Sequence, residues 1–407
     1  MGVLQDFRLD RRLRLAQVRN RLRSSLWVAP ALAVAIAVGA AMLLVRIDRG
    51  LEQRRDDWFL FDGGPESARE LLSTITSSML TFTALVFSIT ILILQLASNQ
   101  FSPRVIRTFL REPVTKWAMS LFVGTFVYSM VVLSQVRTAP TFVPAAATWF
   151  ALVMAVVSVG VFIRYIHRMA HSIRAITVIS KIAAETRAAI DRMFPDEVAA
   201  EAPEEVTVPD TRPDGVITHR DPPGVVAFVD ADELVCIASR CDAVIEIVPR
   251  VGDFVPTGAA LFRVWGNVDK EDHCRAAIGI ELERTIEQDP AFGLRQIVDV
   301  AVRALSPGVN DPTTAVQALD HLHDLVRRLA VREFPARTRA DDAGDLRVIA
   351  ARPDFVDFVR LAFEEIAMYG TSSVQVRRRL ASILEDCVTV AAPDRARDLE
   401  RVLTPAP

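Results

Sequence analysis

Cysteine is scarce in this chain, and the few cysteines present do not form the patterns that cysteine chemistry needs. There are 4 in 407 residues, and Cys236, Cys241, Cys274 and Cys387 include no C-x-x-C pair and no paired zinc-ligand spacing. This argues against a disulfide-stapled secreted domain and favours a reducing cytoplasm for the part of the chain that carries them. We expect no metal site and no cofactor.

Lysine is rarer still, and the chain as a whole has no excess of positive charge. Lys116, Lys181 and Lys270 are the lysines, the other basic residues are arginines, and the formal net charge is -3. A general nucleic-acid-binding surface needs an excess of positive charge. We therefore expect no nucleic-acid partner.

Catalytic motifs are also missing. The sequence contains no Walker A loop, no Rossmann glycine fingerprint, no HExxH and no nucleophile elbow. His219, His273, His321 and His323 have no partner that the sequence alone reveals. We expect that the protein is not an enzyme.

Long apolar runs are what the sequence does have, and they lie in its first part. Hydrophobic residues make up 51% of the chain and charged residues 24%, so the two kinds must be segregated. After a basic arm at 1–25, the runs predict a four-helix transmembrane domain at 26–163. Its spans are expected at about 26–45, 71–97, 117–136 and 145–163.

Flanking arginines and lysines predict the orientation. The arm at 1–25, the loop at 104–116 and the segment at 164–181 are basic, whereas the loop that starts at Arg137 is not. The positive-inside rule then places both termini in the cytoplasm, as an even number of spans requires. We expect a multi-pass protein of the inner membrane, in contact with the lipid bilayer.

The second span is unusually rich in hydroxyl side chains, and at about 100° per residue they form one seam. Its polar members are Thr74, Ser77, Thr81, Ser88, Gln95 and Ser98, of which the first five are the candidates to line a pore. A shorter row repeats every seventh residue at Thr76, Thr83 and Thr90. Lipid-facing helices gain nothing from hydroxyls. Two interpretations stay open: close packing against other helices, or the lining of a pore built by several copies.

After the second span, arginines recur on one face of a short amphipathic segment. Arg104, Arg107 and Arg111 share this face, opposite apolar residues. This pattern is typical of a helix lying in the membrane interface. Two roles stay open for its arginines: pairing with lipid phosphates, or forming a ring at the mouth of a pore.

The rest of the chain reads as soluble protein in four parts. Helical spacing without proline or glycine predicts a stalk helix at 164–195, followed by an acidic linker at 196–223. Short strands at Gly224–Val229, 234–238, 243–248 and Ala260–Trp265 then predict a β-rich domain at 224–268. The residues from 269 to 407 predict a helical domain.

Within the β-rich domain, residues 251–258 (VGDFVPTG) with Leu261 resemble the small flattened barrel of biotinyl and lipoyl domains. This resemblance implies a β-barrel-like insert. No lysine occupies the connecting hairpin at 239–242, so covalent biotin or lipoate is not expected. The overall fold class is thus a membrane α-helical domain with a cytoplasmic α+β region.

In the helical domain, Asp289-Pro290 and Asp311-Pro312 each place a capping carboxylate before a proline, which predicts two helix starts. The turn between these helices is the best candidate for a small-ligand or anion site. Its members are Arg295, Arg303, Ser306, Asn310 and Asp311. The alternative is a helix hairpin that caps itself.

Four motifs together carry a family resemblance: residues 101–104 (FSPR), 124–128 (GTFVY), 292–296 (FGLRQ) and 303–312 (RALSPGVNDP). They resemble the bacterial predicted membrane proteins grouped as domain of unknown function 2254. The resemblance spans nearly the whole chain. It implies an inner-membrane protein with a large cytoplasmic tail, and it brings no established activity.

Two classes of function remain open. One is an oligomeric ion channel or transporter with a cytoplasmic regulatory domain. The other is a non-conducting scaffold or sensor whose cytoplasmic domain binds a ligand or partner. Small-residue ladders in the spans favour tight helix association, and hence a homo-oligomer, under both.

Overall fold

The computed structural model describes residues 27–51, 64–100, 113–138, 141–172, 174–194, 211–269 and 271–403. The chain forms two compact units, Met1–Arg174 and Ala175–Pro407. We call them the N-terminal unit and the C-terminal unit.

Four long helices make up most of the described part of the N-terminal unit. They are α1 (Val28–Leu51), α2 (Pro65–Gln100), α3 (Pro113–Leu133) and α4 (Ala145–Ser172). All four are long and apolar enough to cross a membrane. This confirms the four predicted apolar helices, with ends shifted by several residues. A short antiparallel hairpin, β1 (Arg137–Thr138) and β2 (Thr141–Phe142), joins α3 to α4.

Helix α3 is the centre of the N-terminal unit. Half of its most apolar stretch is buried, against 17% in α1 and in α2. The rings of Phe82 on α2 and Phe162 on α4 stack with centroids 4.6 Å apart, and both contact Phe122 of α3. The hydroxyl of Tyr128 on α3 donates to the carbonyl of Ala147 on α4 at 2.9 Å. The other three helices therefore pack around α3.

The predicted stalk helix is in two pieces. Helix α4 ends at Ser172 in the N-terminal unit, and α5 (Ala175–Met193) begins in the C-terminal unit. Neither proline nor glycine marks the break, so helical spacing continues through it and could not reveal it. Helix α5 buries its apolar face within the C-terminal unit, against two helices described below.

The C-terminal unit contains two open sheets. The larger has the order β3 (Gly215–Thr218), β7 (Ala260–Trp265), β5 (Val244–Ile247), β10 (Leu346–Ala350) and β9 (Thr338–Ala340). The smaller has the order β6 (Phe254–Val255), β4 (Gly224–Val229) and β8 (Ile278–Glu281). Adjacent strands are antiparallel except for β5 and β10, which are parallel.

The predicted β-barrel-like insert is therefore wrong, because β10 pairs with β5 from a hundred residues further along the chain and the sheet stays open. The apolar stretch at 234–238 is part of a helix, α6 (Ala231–Arg240), rather than a strand. The Asp230 carboxylate caps it by accepting from the Glu233 amide at 3.1 Å. Strands β8, β9 and β10 also lie inside the segment that we expected to be wholly helical.

Helices form the remainder of the C-terminal unit. They are α7 (Glu271–Ala276), α8 (Pro290–Ala304), α9 (Pro312–Ala330), α10 (Phe355–Tyr369), α11 (Val374–Val390) and α12 (Pro393–Leu403). Helix α8 packs against α5, α9 and α10, and α12 packs against α10 and α11. The two predicted Asp-Pro starts are confirmed: Asp289 and Asp311 cap α8 and α9.

Candidate functional site

The polar seam of α2 lies on the side of the helix opposite the core of the N-terminal unit. Its predicted pore-lining members, Thr74, Ser77, Thr81, Ser88 and Gln95, are all exposed. The opposite side of the helix is buried, with Leu72, Ile75, Met79, Val86 and Ile93 in the core. The described helices of the chain therefore do not cover the seam.

Most hydroxyls of the seam are hydrogen bonded to the backbone of the same helix. Thr74 donates to the carbonyl of Glu70 at 2.8 Å, Ser77 to Ser73 at 2.5 Å and Thr81 to Ser77 at 3.1 Å. Ser88 and Gln95 make no such bond in the described part of the chain. Their polar groups remain available for a partner outside the chain.

The second hydroxyl row of α2 faces its own unit. Thr76, Thr83 and Thr90 are partly buried, and each donates to the carbonyl four residues earlier at 2.7 to 2.8 Å. Thr90 also lies 2.9 Å from the hydroxyl of Tyr165 on α4, which donates to the carbonyl of Val86 at 3.2 Å. This row therefore supports packing within one chain, whereas the seam does not.

A polar cluster at one end of the N-terminal unit was not predicted. The two carboxylate oxygens of Asp48 on α1 accept from the amides of Ala146 and Ala147 at 3.2 and 3.0 Å. They cap the start of α4, which has no Ser, Thr, Asp or Asn of its own at that position. The absence of a local cap is the feature of the sequence that could have indicated an acceptor elsewhere in the chain for the first amides of α4.

Two arginines make further contacts at the same end of the N-terminal unit. Arg49 donates to the side-chain carbonyl of Gln135 at 2.7 Å, and its guanidinium lies 5.4 Å from the ring centre of Phe142. Arg69 donates to the carbonyl of Val136 at 2.9 Å. The end of α1, the start of α2 and the β1–β2 hairpin are thus held together.

The predicted anion turn is already occupied by the chain's own groups. Asp311 accepts from the amide of Thr314 at 3.1 Å and from its hydroxyl at 2.6 Å, and these bonds lower the pKa of the Asp311 carboxyl. Ser306 donates to the carbonyl of Arg303 at 2.7 Å. Asn310 adopts a left-handed backbone, with φ of 49°. This geometry favours the self-capped hairpin.

The positive charge of Arg295 is already paired with carboxylates of the chain. Its guanidinium pairs with Asp299 at 2.7 Å and with Glu365 of α10 through two bonds, one of them 2.9 Å long. An anion at the turn would have to compete with both carboxylates. The ligand role of these five residues stays a prediction, and no contact among the described residues favours it.

One group in the described residues has the composition of a metal site. His323, Asp386 and Cys387 lie close together, but Asp386 accepts from His323 at 2.7 Å and from Arg327 at 2.8 Å. Arg379 contacts the other ring nitrogen of His323 at 2.9 Å. Burial raises the pKa of the Cys387 thiol to about 12. Two guanidiniums and a protonated thiol disfavour a cation here.

The predicted lipid-interface arginines, Arg104, Arg107 and Arg111, lie outside the described residues. So do the basic arm at 1–25 and most of the acidic linker at 196–223.

The architecture defines a class: a multi-helix membrane protein with a mixed α/β C-terminal unit. A family model described as predicted membrane protein (DUF2254) matches residues 23–386. Uncharacterized proteins of Mycobacterium bovis and Mycobacterium tuberculosis are 33% identical over 388 residues, which is 91% of this chain and 74% of theirs. No solved structure matches the chain significantly. The chain belongs to the DUF2254 family, which confirms the resemblance of its motifs.

Proposed function

We propose that the protein is a homo-oligomer of the inner membrane in which the α2 seams of several copies line a path for ions. Both termini lie in the cytoplasm, and the C-terminal unit regulates the path. The supporting observation is the direction of the seam: Thr74, Ser77, Thr81, Ser88 and Gln95 point away from the core of their own chain.

The cost of leaving this seam in lipid supports an oligomer. An amide without a partner in hydrocarbon costs several kcal/mol by order of magnitude, so the Gln95 side chain needs water or a polar neighbour. Large apolar residues flank the seam on the exposed face, among them Leu80, Leu85 and Leu92. Such flanks suit a contact between copies, with the small hydroxyl residues at its centre.

The second candidate is a non-conducting scaffold or sensor. Thr74, Ser77 and Thr81 already bond to their own backbone, so copies could also pack these residues together without water. Under both functions the protein is not an enzyme, in keeping with a sequence that carries none of the common catalytic motifs.

Replacing Ser88 by leucine separates the two functions. In a water-filled path the larger apolar side chain should narrow and dry the lumen, so ion flux into proteoliposomes should be lost while the oligomer persists. In a packed seam the same change should overfill the contact and dissociate the oligomer. Leu43→Phe, which adds bulk at an exposed position of α1 rather than on α2, should leave flux unchanged.

Two outcomes would contradict the channel. One is parent protein that assembles but passes no ions under any tested gradient, which would leave the scaffold. The other is a Ser88→Leu protein that stays oligomeric and conducts like the parent, which would remove the seam from the path.

A further inference from the structure

A cleft in the C-terminal unit gathers arginines that lack carboxylate partners. It has a volume of about 280 Å³ and lies where β9 and β10 meet the starts of α10 and α12. Arg337, Arg352 and Arg395 line it. The arginines come from three separate parts of the chain, so the fold rather than a local motif brings them together.

Two of these arginines, the exposed Arg337 and the partly buried Arg352, have no protein partner for their guanidiniums among the described residues. Arg352 is partly buried, and burial together with the nearby Arg339 lowers its pKa. Keeping the Arg352 cation partly away from water without a carboxylate partner is unfavourable, whereas the neighbouring Arg339 pairs with Asp232. An incoming anion would remove that cost.

Of the three arginines that line the cleft, Arg395 is the one whose guanidinium is held in place by the chain. One of its guanidinium nitrogens donates to the carbonyls of Leu329, Ala330 and Arg332 at 3.1, 2.9 and 2.6 Å. Its guanidinium also lies 4.8 Å from the ring centre of Phe334 and 5.4 Å from that of Phe355. Arg395 therefore holds the wall of the cleft in place and adds positive charge to it.

The remaining lining suits an organic group. Phe334, Pro335, Pro353 and Val356 offer apolar surface. A bare phosphate ion would fill only part of the cleft, whose volume is near the lower end for small-molecule sites.

Two carboxylates also line the cleft. The Asp354 side chain accepts a hydrogen bond from the amide of Asp357 at 2.8 Å and so caps the start of α10. Asp398 has no hydrogen bond or ion pair in the described part of the chain, and it opposes binding of an anion. The three arginines still outnumber the two acids.

We propose that this cleft binds a small phosphate monoester whose phosphate contacts Arg337 and Arg352 and whose apolar part contacts Phe334 and the prolines. Arginine is suited to this because its planar guanidinium makes paired hydrogen bonds to phosphate oxygens. A dianion matches two unpaired cations better than a single carboxylate does. Any regulatory effect of this ligand rests on the proposed function, whereas binding itself does not.

Binding can be measured on the full chain in a non-ionic detergent. Isothermal titration with phenyl phosphate should show a site, and inorganic phosphate should bind it more weakly because it lacks the apolar part. Arg337→Gln and Arg352→Gln should each weaken binding at least about tenfold, as expected for a lost charged hydrogen bond. Arg378→Gln, which removes an exposed arginine outside the cleft, should change nothing.

A fourth variant, Asp398→Asn, should strengthen binding by removing the opposing charge. Damage to the fold can weaken binding but not strengthen it, so this gain would report on the charge of the cleft itself. Unchanged affinity in the Arg337→Gln/Arg352→Gln double variant, or no binding by the parent, would overturn the proposal. Tighter binding of glycerol 3-phosphate than of phenyl phosphate would point to a lipid headgroup instead and overturn the assignment to an apolar ester. If the protein binds phenyl phosphate but passes no ions, the binding site is supported and only the proposed channel is contradicted.

Discussion

At the scale of single residues, Gly293 of α8 marks a close approach between two helices of the C-terminal unit. A Cβ atom at this position would lie 1.9 Å from the hydroxyl oxygen of Thr186 on α5. Thr186 is fully buried, and its hydroxyl donates to the carbonyl of Ile182 at 2.7 Å. Any side chain at 293 would therefore push α5 and α8 apart.

Gly293→Ala should destabilise the C-terminal unit by about 1–3 kcal/mol, since overpacking a closed core costs that much. Thermal or urea unfolding of the detergent-solubilised protein measures this. Gly308→Ala is the matched control, because a Cβ there meets nothing within 4 Å. Adding Thr186→Ala to Gly293→Ala should recover part of the loss. Equal stability of the Gly293→Ala and Gly308→Ala proteins would show that α5 and α8 are not packed this closely.

At the scale of elements, the start of α9 depends on one carboxylate that titrates. Two bonds from Thr314 lower the pKa of Asp311, so the folded-state pKa lies below the unfolded one. The stabilisation is complete above the unfolded pKa, near 4, and is lost as the pH falls through the folded pKa. Asp311 therefore stabilises α9 at neutral pH and not in strong acid.

Asp311→Ala should cost about 1 kcal/mol at pH 7 as the loss of a helix cap. Its difference from the parent should shrink as the pH falls below about 4, where the parent's carboxylate becomes protonated. Denaturant unfolding at a series of pH values measures both effects. Asp311→Asn, a cap that does not titrate, should stay close to the parent at pH 7. A cost in Asp311→Ala that stays constant down to pH 2 would contradict this role.

Elements with a local signal were predictable from the sequence. The Asp-Pro starts of α8 and α9 combine a cap with a proline at the first helical position, and both helices begin at the predicted proline. Helix α6 had a local signal too, an Asp230 cap with buried Leu234, Ile237 and Ala238 at helical spacing. The apolar run at 234–238 concealed it, because short apolar runs fit a strand equally well.

Elements defined by distant partners were not predictable. Strand β10 pairs with β5 across about a hundred residues, and no turn or spacing in either strand indicates that pairing. The same holds for the sites. The period of the α2 seam could be read from the sequence, but its direction depends on how α2 packs on α3. The arginine cleft has no motif at all, because its three arginines meet only in the folded unit.

At the scale of the whole molecule, the ends of the helices in the N-terminal unit bear on its orientation. Arg49 contacts Gln135, and Arg69 contacts Val136, so the end of α1, the start of α2 and the β1–β2 hairpin lie at one end of the unit. Four crossing helices require the α1–α2 and α3–α4 connections to share a side of the membrane. In the topology that we propose, that side is the outer one, because basic residues flank the opposite ends.

Cysteine labelling in intact cells tests this arrangement. In a variant whose partly exposed Cys236 and Cys241 are replaced by serine, Gly64→Cys and Thr138→Cys should both react with a membrane-impermeant maleimide added outside. Arg104→Cys should react only after lysis. The native Cys274 and Cys387 should stay unlabelled, because both are buried and burial raises their pKa values to about 11 and about 12. Labelling of Arg104→Cys alone would reverse the orientation. Labelling of only one of positions 64 and 138 would contradict four crossings, because the structure holds the start of α2 and the β1–β2 hairpin at the same end.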